Sequence, residues 1–350
     1  MNLLITTQKV DKNDQLLGFF IEWLREFAQK FEKITVLCLE KGEFELPENV
    51  KVLSLGKDRG SGKLRQLSAF YFLIYTHRND YDAVFVHMNP IWMVLGGICW
   101  KMLGKKKFLW YTSGGVTLKL KIAEKLADKV LTASPESFRF KSKKVVVTGH
   151  GIDTGLFQPD FSRSNLKDGV PRFDLGEIKI LSVGRIAPVK NYETLIEAAK
   201  ILKDEGVNFA ITMIGEAPLE KDKEYEKKIK LLITDYQLQN FFNFVGKVSH
   251  KELLKYYQLH DLFVHLSKTG SLDKTLLEAM ACGMSVLSSS DAARYFLPPE
   301  LIFNESDFTG LAEKIKLVNT KFYGQELRKY ILENHNLGNL INKISEIVKL

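Results

Sequence analysis

Two cations, Arg185 and Lys190, stand close together in the run VGRIAPVKN, Val183 to Asn191. The residues before them read as a buried strand (Ile178, Ile180, Leu181, Val183), and those after them follow a helical stripe (Tyr192, Leu195, Ile196, Ala199, Leu202). A strand that ends at Gly184 and gives way to a helix leaves backbone N–H groups exposed beside the two side chains. Fixed positive charge and amide donors in one loop suit a diphosphate, which they can neutralise without rearranging. The same pair is equally compatible with an ordinary surface Arg and Lys, so this run needs a second element before it names a chemistry.

Other chemistries find little support. GSGK at Gly60–Lys63 is not a phosphate loop, because Lys57 stands where the first Gly is required and Leu64 where a Mg²⁺-binding hydroxyl is required. No GxGxxG follows the first strand pattern, which argues against a nicotinamide site. Asp80-Tyr81-Asp82 precedes a strand pattern and reads as a turn. No His/Cys/Asp cluster has metal spacing and no GxSxG elbow is present. His87, at the end of a strand pattern and followed by Met88-Asn89-Pro90, is a candidate site residue, although a lone His is more often structural.

The elements that must position these residues alternate along the chain. Short β-branched runs lie at Leu3–Thr6, Ile34–Leu39, Val50–Leu55, Ala83–His87, Phe108–Tyr111, Val130–Ala133 and Val145–Thr148, then at Ile178–Val183, Phe209–Ile214, Phe242–Val245, Leu262–Leu266 and Met284–Leu287. Amphipathic segments such as Leu16–Phe31 and Leu64–Thr76 fill most gaps, and Ser134-Pro135-Glu136 reads as a helix start. The alternation predicts an α/β protein with parallel sheets covered by helices on both faces. At 350 residues two domains are expected: 1–158, a linker at 159–176 rich in turn formers, and 177–330, with a C-terminal segment 331–350.

A formal charge of +8 implies an anionic partner. The cations cluster at Lys101, Lys105, Lys106 and Lys107 and again at Arg139, Lys141, Lys143 and Lys144. The first cluster follows the apolar, Trp-bearing stretch Ile91–Trp100, a pairing suited to an anionic membrane surface. No nucleic-acid signature accompanies either cluster, so nucleic acid is not expected as a partner. Cys38, Cys99 and Cys282 lie in apolar surroundings without metal spacing, as buried free thiols do. With no secretory leader and no apolar run long enough to span a bilayer, a cytoplasmic location is expected, with the inner face of a membrane as a further option.

The second element is HLSKTGSLDKTLLEAMACGMSVLSSS, His265 to Ser290, which reads as strand end, small-residue loop, helix, Gly stop and buried strand. Together with VGRIAPVKN, with VVVTGHGIDTGLFQPD (Val145–Asp160) and with FVGKVSHKELLKYYQLHDLFVHLS (Phe244–Ser267), it resembles the family 4 retaining glycosyltransferases (glycosyl transferases group 1). The resemblance covers nearly all of residues 145–290 in order and is looser in the N-terminal half. It implies the GT-B fold: two Rossmann-like domains with parallel sheets facing a central cleft, the final helix returning to the first domain.

The resemblance also implies roles. Arg185 and Lys190 would stabilise the departing diphosphate, aided by the amides of Ser271, Leu272, Asp273 and Lys274 at a helix start, with Gly184 and Val248 also on the donor side. Glu278 would hold the ribose hydroxyls, and Glu216 would lie in a turn lining the site, where Ala217 replaces a usual Gly. Gly270 stands where relatives carry a Glu that contacts the sugar, and Asp273 or Lys274 could supply that contact instead. On the acceptor side the resemblance places a loop at Thr6–Lys9 (including Gln8 and Lys9), Ser113 in place of a usual His, and His150 at the domain crossing. The activity implied is transfer of a sugar from a UDP- or GDP-linked donor to a hydroxyl of a carbohydrate or lipid-linked acceptor, with retention, without metal or cofactor. Two alternatives stay open: a nucleotide-sugar epimerase or sugar phosphorylase of the same fold, and a nucleotide-sugar-binding protein impaired in transfer, which Gly270 and Ser113 favour.

Overall fold

Parallel strands organise both units of the chain. The computed structural model describes residues 1–14, 16–160, 176–267, 270–318 and 323–350. It divides into Met1–Asp153 with Asn336–Leu350, and Thr154–His335.

In the first unit β1 (Leu3–Val10), β2 (Ile34–Lys41), β3 (Val50–Ser54), β4 (Ala83–His87), β5 (Lys106–Trp110), β6 (Lys129–Thr132) and β7 (Val145–Val147) form one sheet in the order β3-β2-β1-β4-β5-β6-β7. All its neighbours run parallel. Successive residues of β1 point to opposite faces: Leu3 and Ile5 enter one core, Leu4 the other. Helix α1 (Phe20–Ala28) and the C-terminal helix (Leu337–Lys349) close the first core, with Trp23 and Phe27 packed near Leu340, Ile341 and Ile344. Helices α2 (Lys63–Thr76), α3 (Pro90–Met102) and α4 (Leu118–Leu126) close the second through Phe70, Ile74, Trp92, Trp100 and Leu120. Each such buried side chain contributes about 1.5–3 kcal/mol of transfer free energy.

Local signals place the helix ends. Asn89 caps α3 by accepting from the Ile91 amide at 3.2 Å, with Pro90 at the first position, and Thr117 caps α4 by accepting from the Leu120 amide. Gly97 allows α3 and α4 to approach: a Cβ there would lie 2.9 Å from the Leu126 Cβ.

Several expectations change here. β1 runs on to Val10, because β2 pairs with it as far as Lys41, so Gln8 and Lys9 lie within a strand and not in a loop after it. Helix α1 begins only at Phe20, since the Asp14 carboxylate accepts from the Leu16 and Leu17 amides and holds a turn there. The helix expected from Ser134 is a single 3₁₀ turn, Pro135–Ser137; Ser134 does cap it, but Phe138 then packs edge-on to Tyr111 and the chain returns to β7. The tryptophans of α3 point inward: Trp92 and Trp100 are buried, and Lys107 is buried in an ion pair with Asp128. The Trp-bearing surface patch read from Ile91–Lys107 is therefore core at those positions.

In the second unit β8 (Ile178–Val183), β9 (Phe209–Ile214), β10 (Phe242–Gly246), β11 (Leu262–His265) and β12 (Ser285–Ser288) form a parallel sheet in the order β10-β9-β8-β11-β12. Its helices are α5 (Tyr192–Asp204), α6 (Glu220–Asp235), α7 (Leu253–Leu259), α8 (Lys274–Ala281), α9 (Phe308–Val318) and α10 (Gly324–Asn334). The division falls after Asp153 because the following residues already pack in this unit: Phe157 is buried against His250 and Tyr257. Residues 161–175 of the expected linker lie outside the described residues. The chain passes back to the first unit after His335, where Asn336 caps the C-terminal helix and the Leu337 amide donates to Ile152.

Candidate active site

A doubly wound sheet opens a crevice where its strand order reverses, beyond the C-terminal strand ends. In the second unit that point lies between β8 and β11. Gly184 and Arg185 follow β8 directly, and His265 ends β11.

Lys190, at the end of the short turn Pro188–Lys190, reaches across to α8. Its Nζ lies 2.5 Å from Asp273 Oδ2. His265 Nε2 donates to the same oxygen at 2.9 Å, and its Nδ1 is hydrogen-bonded to the Ser288 hydroxyl, also at 2.9 Å. The Ser290 amide donates to Ser288 Oγ, and its hydroxyl donates to the Ser271 carbonyl, tying β12 to the loop before α8. Burial alone would raise the Asp273 pKa, yet Lys190 and His265 hold it well below the usual carboxylate range. Asp273 is thus an ionised carboxylate gripping a cation and a histidine.

Asp273 is also the N-cap residue of α8, but its side chain makes no capping hydrogen bond. A side chain suited to capping turns instead toward Lys190 and His265. The dipole of α8 favours an anion beside its first amides. Gly270, two residues before the buried Leu272, has φ of 62°.

The turn after β9 closes on the Arg185 loop. The Gly184 amide donates to the Ile214 carbonyl at 2.9 Å and the Ile186 amide to the Glu216 carbonyl at 3.0 Å. Tyr192, buried at the start of α5, donates its hydroxyl to the Gly184 carbonyl. Arg185 itself is exposed. The Glu216 carboxylate is exposed as well, 4.0 Å from Lys247 Nζ, and Val248 is buried just beyond.

Glu278 lies in the interior. His250 Nε2 donates to Oε1 at 2.7 Å and the Tyr257 hydroxyl to Oε2 at 3.2 Å. Burial, reinforced by that carboxylate, raises the Tyr257 pKa well above its usual value. Glu278 is therefore neither solvent-facing nor idle, and both of its oxygens are engaged within the protein.

In the first unit the strand order reverses between β1 and β4, and His87 sits there. It is buried, 3.0 Å through Nδ1 from the Thr7 hydroxyl, and stacks on Phe20 at 3.9 Å. Trp110, its partner across β5, meets His150 edge-on at 6.5 Å. Lys9 pairs with Asp11 and Asp14 at 3.2 and 3.0 Å, while Gln8 is half-buried in β1. Ser113 is exposed, its hydroxyl 3.1 Å from Tyr111 Oη.

Of the residues singled out from sequence, Lys190, Ser271 and Asp273 are tied together by these bonds, while Gly184 is held by Ile214 and Tyr192. Sequence reading missed His265, Ser288, His250 and Tyr257. His265 had a legible signal, a histidine closing a buried strand next to the small-residue loop; the partners of Glu278 had none.

Residues 165–335 match the family model described as glycosyl transferases group 1. That match takes in nearly all of the second unit, Thr154–His335. The chain is 31% identical over 167 residues to the amylovoran biosynthesis glycosyltransferase AmsK of Erwinia amylovora, a match covering 46% of this chain and 36% of AmsK. A longer match, 24% identical over 280 residues, covers 72% of this chain and 70% of the 2-deoxystreptamine N-acetyl-D-glucosaminyltransferase of Niallia circulans. The chain thus spans about a third of AmsK and over two thirds of the second relative. Among solved structures, Anabaena Alr3699/HepE in complex with UDP superposes with a TM-score of 0.78 at 18% identity, over all of both chains. The two parallel sheets are those of the GT-B glycosyltransferase fold.

Proposed function

We propose that this chain is a glycosyltransferase that moves a sugar from a nucleoside-diphosphate sugar, UDP- or GDP-linked, to a hydroxyl of a carbohydrate or lipid-linked acceptor in glycan or glycolipid assembly. The observation that carries this reading is the meeting of Lys190 with the start of α8 at the reversal point of the second sheet. There Arg185, Lys190 and the amides of α8 would receive the diphosphate. As the bond from the anomeric carbon to the diphosphate oxygen breaks, the electron pair leaves with the diphosphate. The acceptor oxygen forms the new bond on the same face, and its proton passes to the leaving phosphate. The nucleotide's negative charge would draw Lys190 from Asp273, leaving His265 to hold the carboxylate. Loss of one donor from such a site typically lowers the barrier stabilisation by about 3 kcal/mol. Because two cations and a helix start meet the charge, the reaction is expected to proceed without a divalent metal. An acceptor borne by lipid would place the protein at an anionic membrane face.

The test is transfer and UDP binding by Arg185→Ala/Lys190→Ala, with the wild type also assayed in chelator. The double variant should keep its fold and lose turnover by at least about a hundredfold, a conservative allowance for two donors. Unchanged turnover would remove the proposal. Product analysis without acceptor separates an epimerase, which would act on donor alone.

A further inference from the structure

The outer surface of α2, α3 and α4 joins apolar side chains to unpaired positive charge. The helices are neighbours: Tyr71 of α2 donates its hydroxyl to the Leu95 carbonyl of α3, and Gly97 of α3 abuts Leu126 of α4. Facing solvent are Leu64 (83% exposed), Phe72 (66%) and Tyr75 (62%) on α2, Ile98 (61%) and Met102 (83%) on α3, and Leu118 (74%) on α4. Ile98 and Met102 fall one turn apart, so they share a stripe. Among and beside them stand six cations, Lys63, Arg65, Lys101, Lys119, Lys121 and Lys125, all exposed. None of these six makes an ion pair with a described residue. The three helices hold a single carboxylate, Glu124, which accepts from the Ser142 hydroxyl.

Large exposed apolar groups on one layer need a cover of matching polarity. A second copy of the same surface would set six cations against six. An anionic lipid bilayer answers both properties: its headgroups attract the lysines, whose stems and apolar neighbours enter the acyl boundary. The helices lie on such a surface and do not cross it, as no helix among the described residues is long and apolar enough to do so.

We infer that the α2–α3–α4 face is the docking surface of this protein for an anionic membrane. This rests on the membrane association proposed above and gives it a location, which keeps Ile98 and Lys101 of the stretch that the sequence suggested but not its buried tryptophans. Its test needs neither donor nor acceptor, so it can fail without the transferase reading failing, and the reverse.

The full chain is sedimented with vesicles of phosphatidylcholine alone and of equimolar phosphatidylcholine and phosphatidylglycerol, at low and high salt. Binding to the anionic vesicles, weakened by salt, is expected. Each cation at the surface contributes roughly fivefold to partitioning, so Lys101→Gln/Lys119→Gln/Lys121→Gln should lower it about a hundredfold. Phe72→Ser/Ile98→Ser should lower it about tenfold with charge intact. All five positions are exposed, and unchanged thermal midpoints verify the fold of each variant. Equal binding to neutral vesicles, wild-type binding by the lysine variant, or no binding to anionic vesicles would overturn the inference. So would a lipid-free dimer that Phe72→Ser/Ile98→Ser dissociates, which would make the face a self-association surface.

Discussion

Gly215→Ala probes the joint between the turn after β9 and the Arg185 loop. Gly215 has φ of 143°, and a Cβ there would lie 1.9 Å from the Gly184 carbonyl oxygen and 2.8 Å from its carbon. The contact is roughly 1.5 Å short of van der Waals separation, and both partners are backbone, so no side chain can rotate away. An L-residue at this φ costs on the order of 1–3 kcal/mol, and the forced backbone shift adds about 1–3 kcal/mol more. Taking the middle of the range, about 4 kcal/mol is lost, which in a unit of this size lowers the melting point by roughly 10 °C. The displacement falls on Gly184, whose carbonyl accepts from Tyr192 and whose neighbour is Arg185. Stabilisation by UDP should therefore vanish even at temperatures where the variant is folded. Saturating the wild type at a hundred times the dissociation constant should add about 2.7 kcal/mol. Differential scanning fluorimetry with and without UDP reads both effects. A melting point within about 2 °C of wild type together with an unchanged UDP response would refute the reasoning, since 2 °C is less than 1 kcal/mol at this size.

Two further outcomes follow from charge. Asp273→Asn leaves the largely buried Lys190 without its counter-charge and should destabilise the unliganded protein by about 2 kcal/mol, while UDP, by replacing the lost anion, should restore more stability than it adds to wild type; equal melting points in the absence of UDP would contradict this. His335 is buried, and that burial alone lowers its pKa to about 4. Below about pH 6.5 the unfolded chain takes up a proton that the folded ring refuses, so this group's contribution is complete above that value and is lost as pH falls toward 4. Between roughly pH 7.5 and 5.5 the loss is about 1 kcal/mol, measurable as a urea midpoint shift that His335→Phe should flatten. The Asp273 contribution has the same sign but fades only in more acidic solution, below the usual carboxylate range, so the two windows separate.

Much of the architecture is written locally. β8 and β9 occupy Ile178–Val183 and Phe209–Ile214, the very apolar runs read as strands, because a parallel strand buried on both faces leaves a near-continuous hydrophobic signature. The start of α3 follows from Asn89-Pro90 and the start of α2 from the end of the Gly-rich turn, since caps and backbone limits act within a few residues. The loop bearing Arg185 and Lys190, between a strand and a helix, was legible for the same reason.

What needed the folded chain is whatever depends on partners distant in sequence. Thr7, Gln8 and Lys9 look like the beginning of a loop, and only the alignment of β2 beside them extends β1 to Val10. The apolar run 91–100 specifies a helix, but its position over the sheet turned Trp92 and Trp100 inward and left Ile98 and Met102 outside. Composition placed Glu278 on a helix without saying that His250 and Tyr257 would take its oxygens. Nor could spacing show that Lys190 would meet Asp273, 83 residues away. Backbone propensity and periodicity are short-ranged and survive in a linear reading; the direction of a side chain and the identity of its ionic partner are settled only when strands from remote segments are laid side by side.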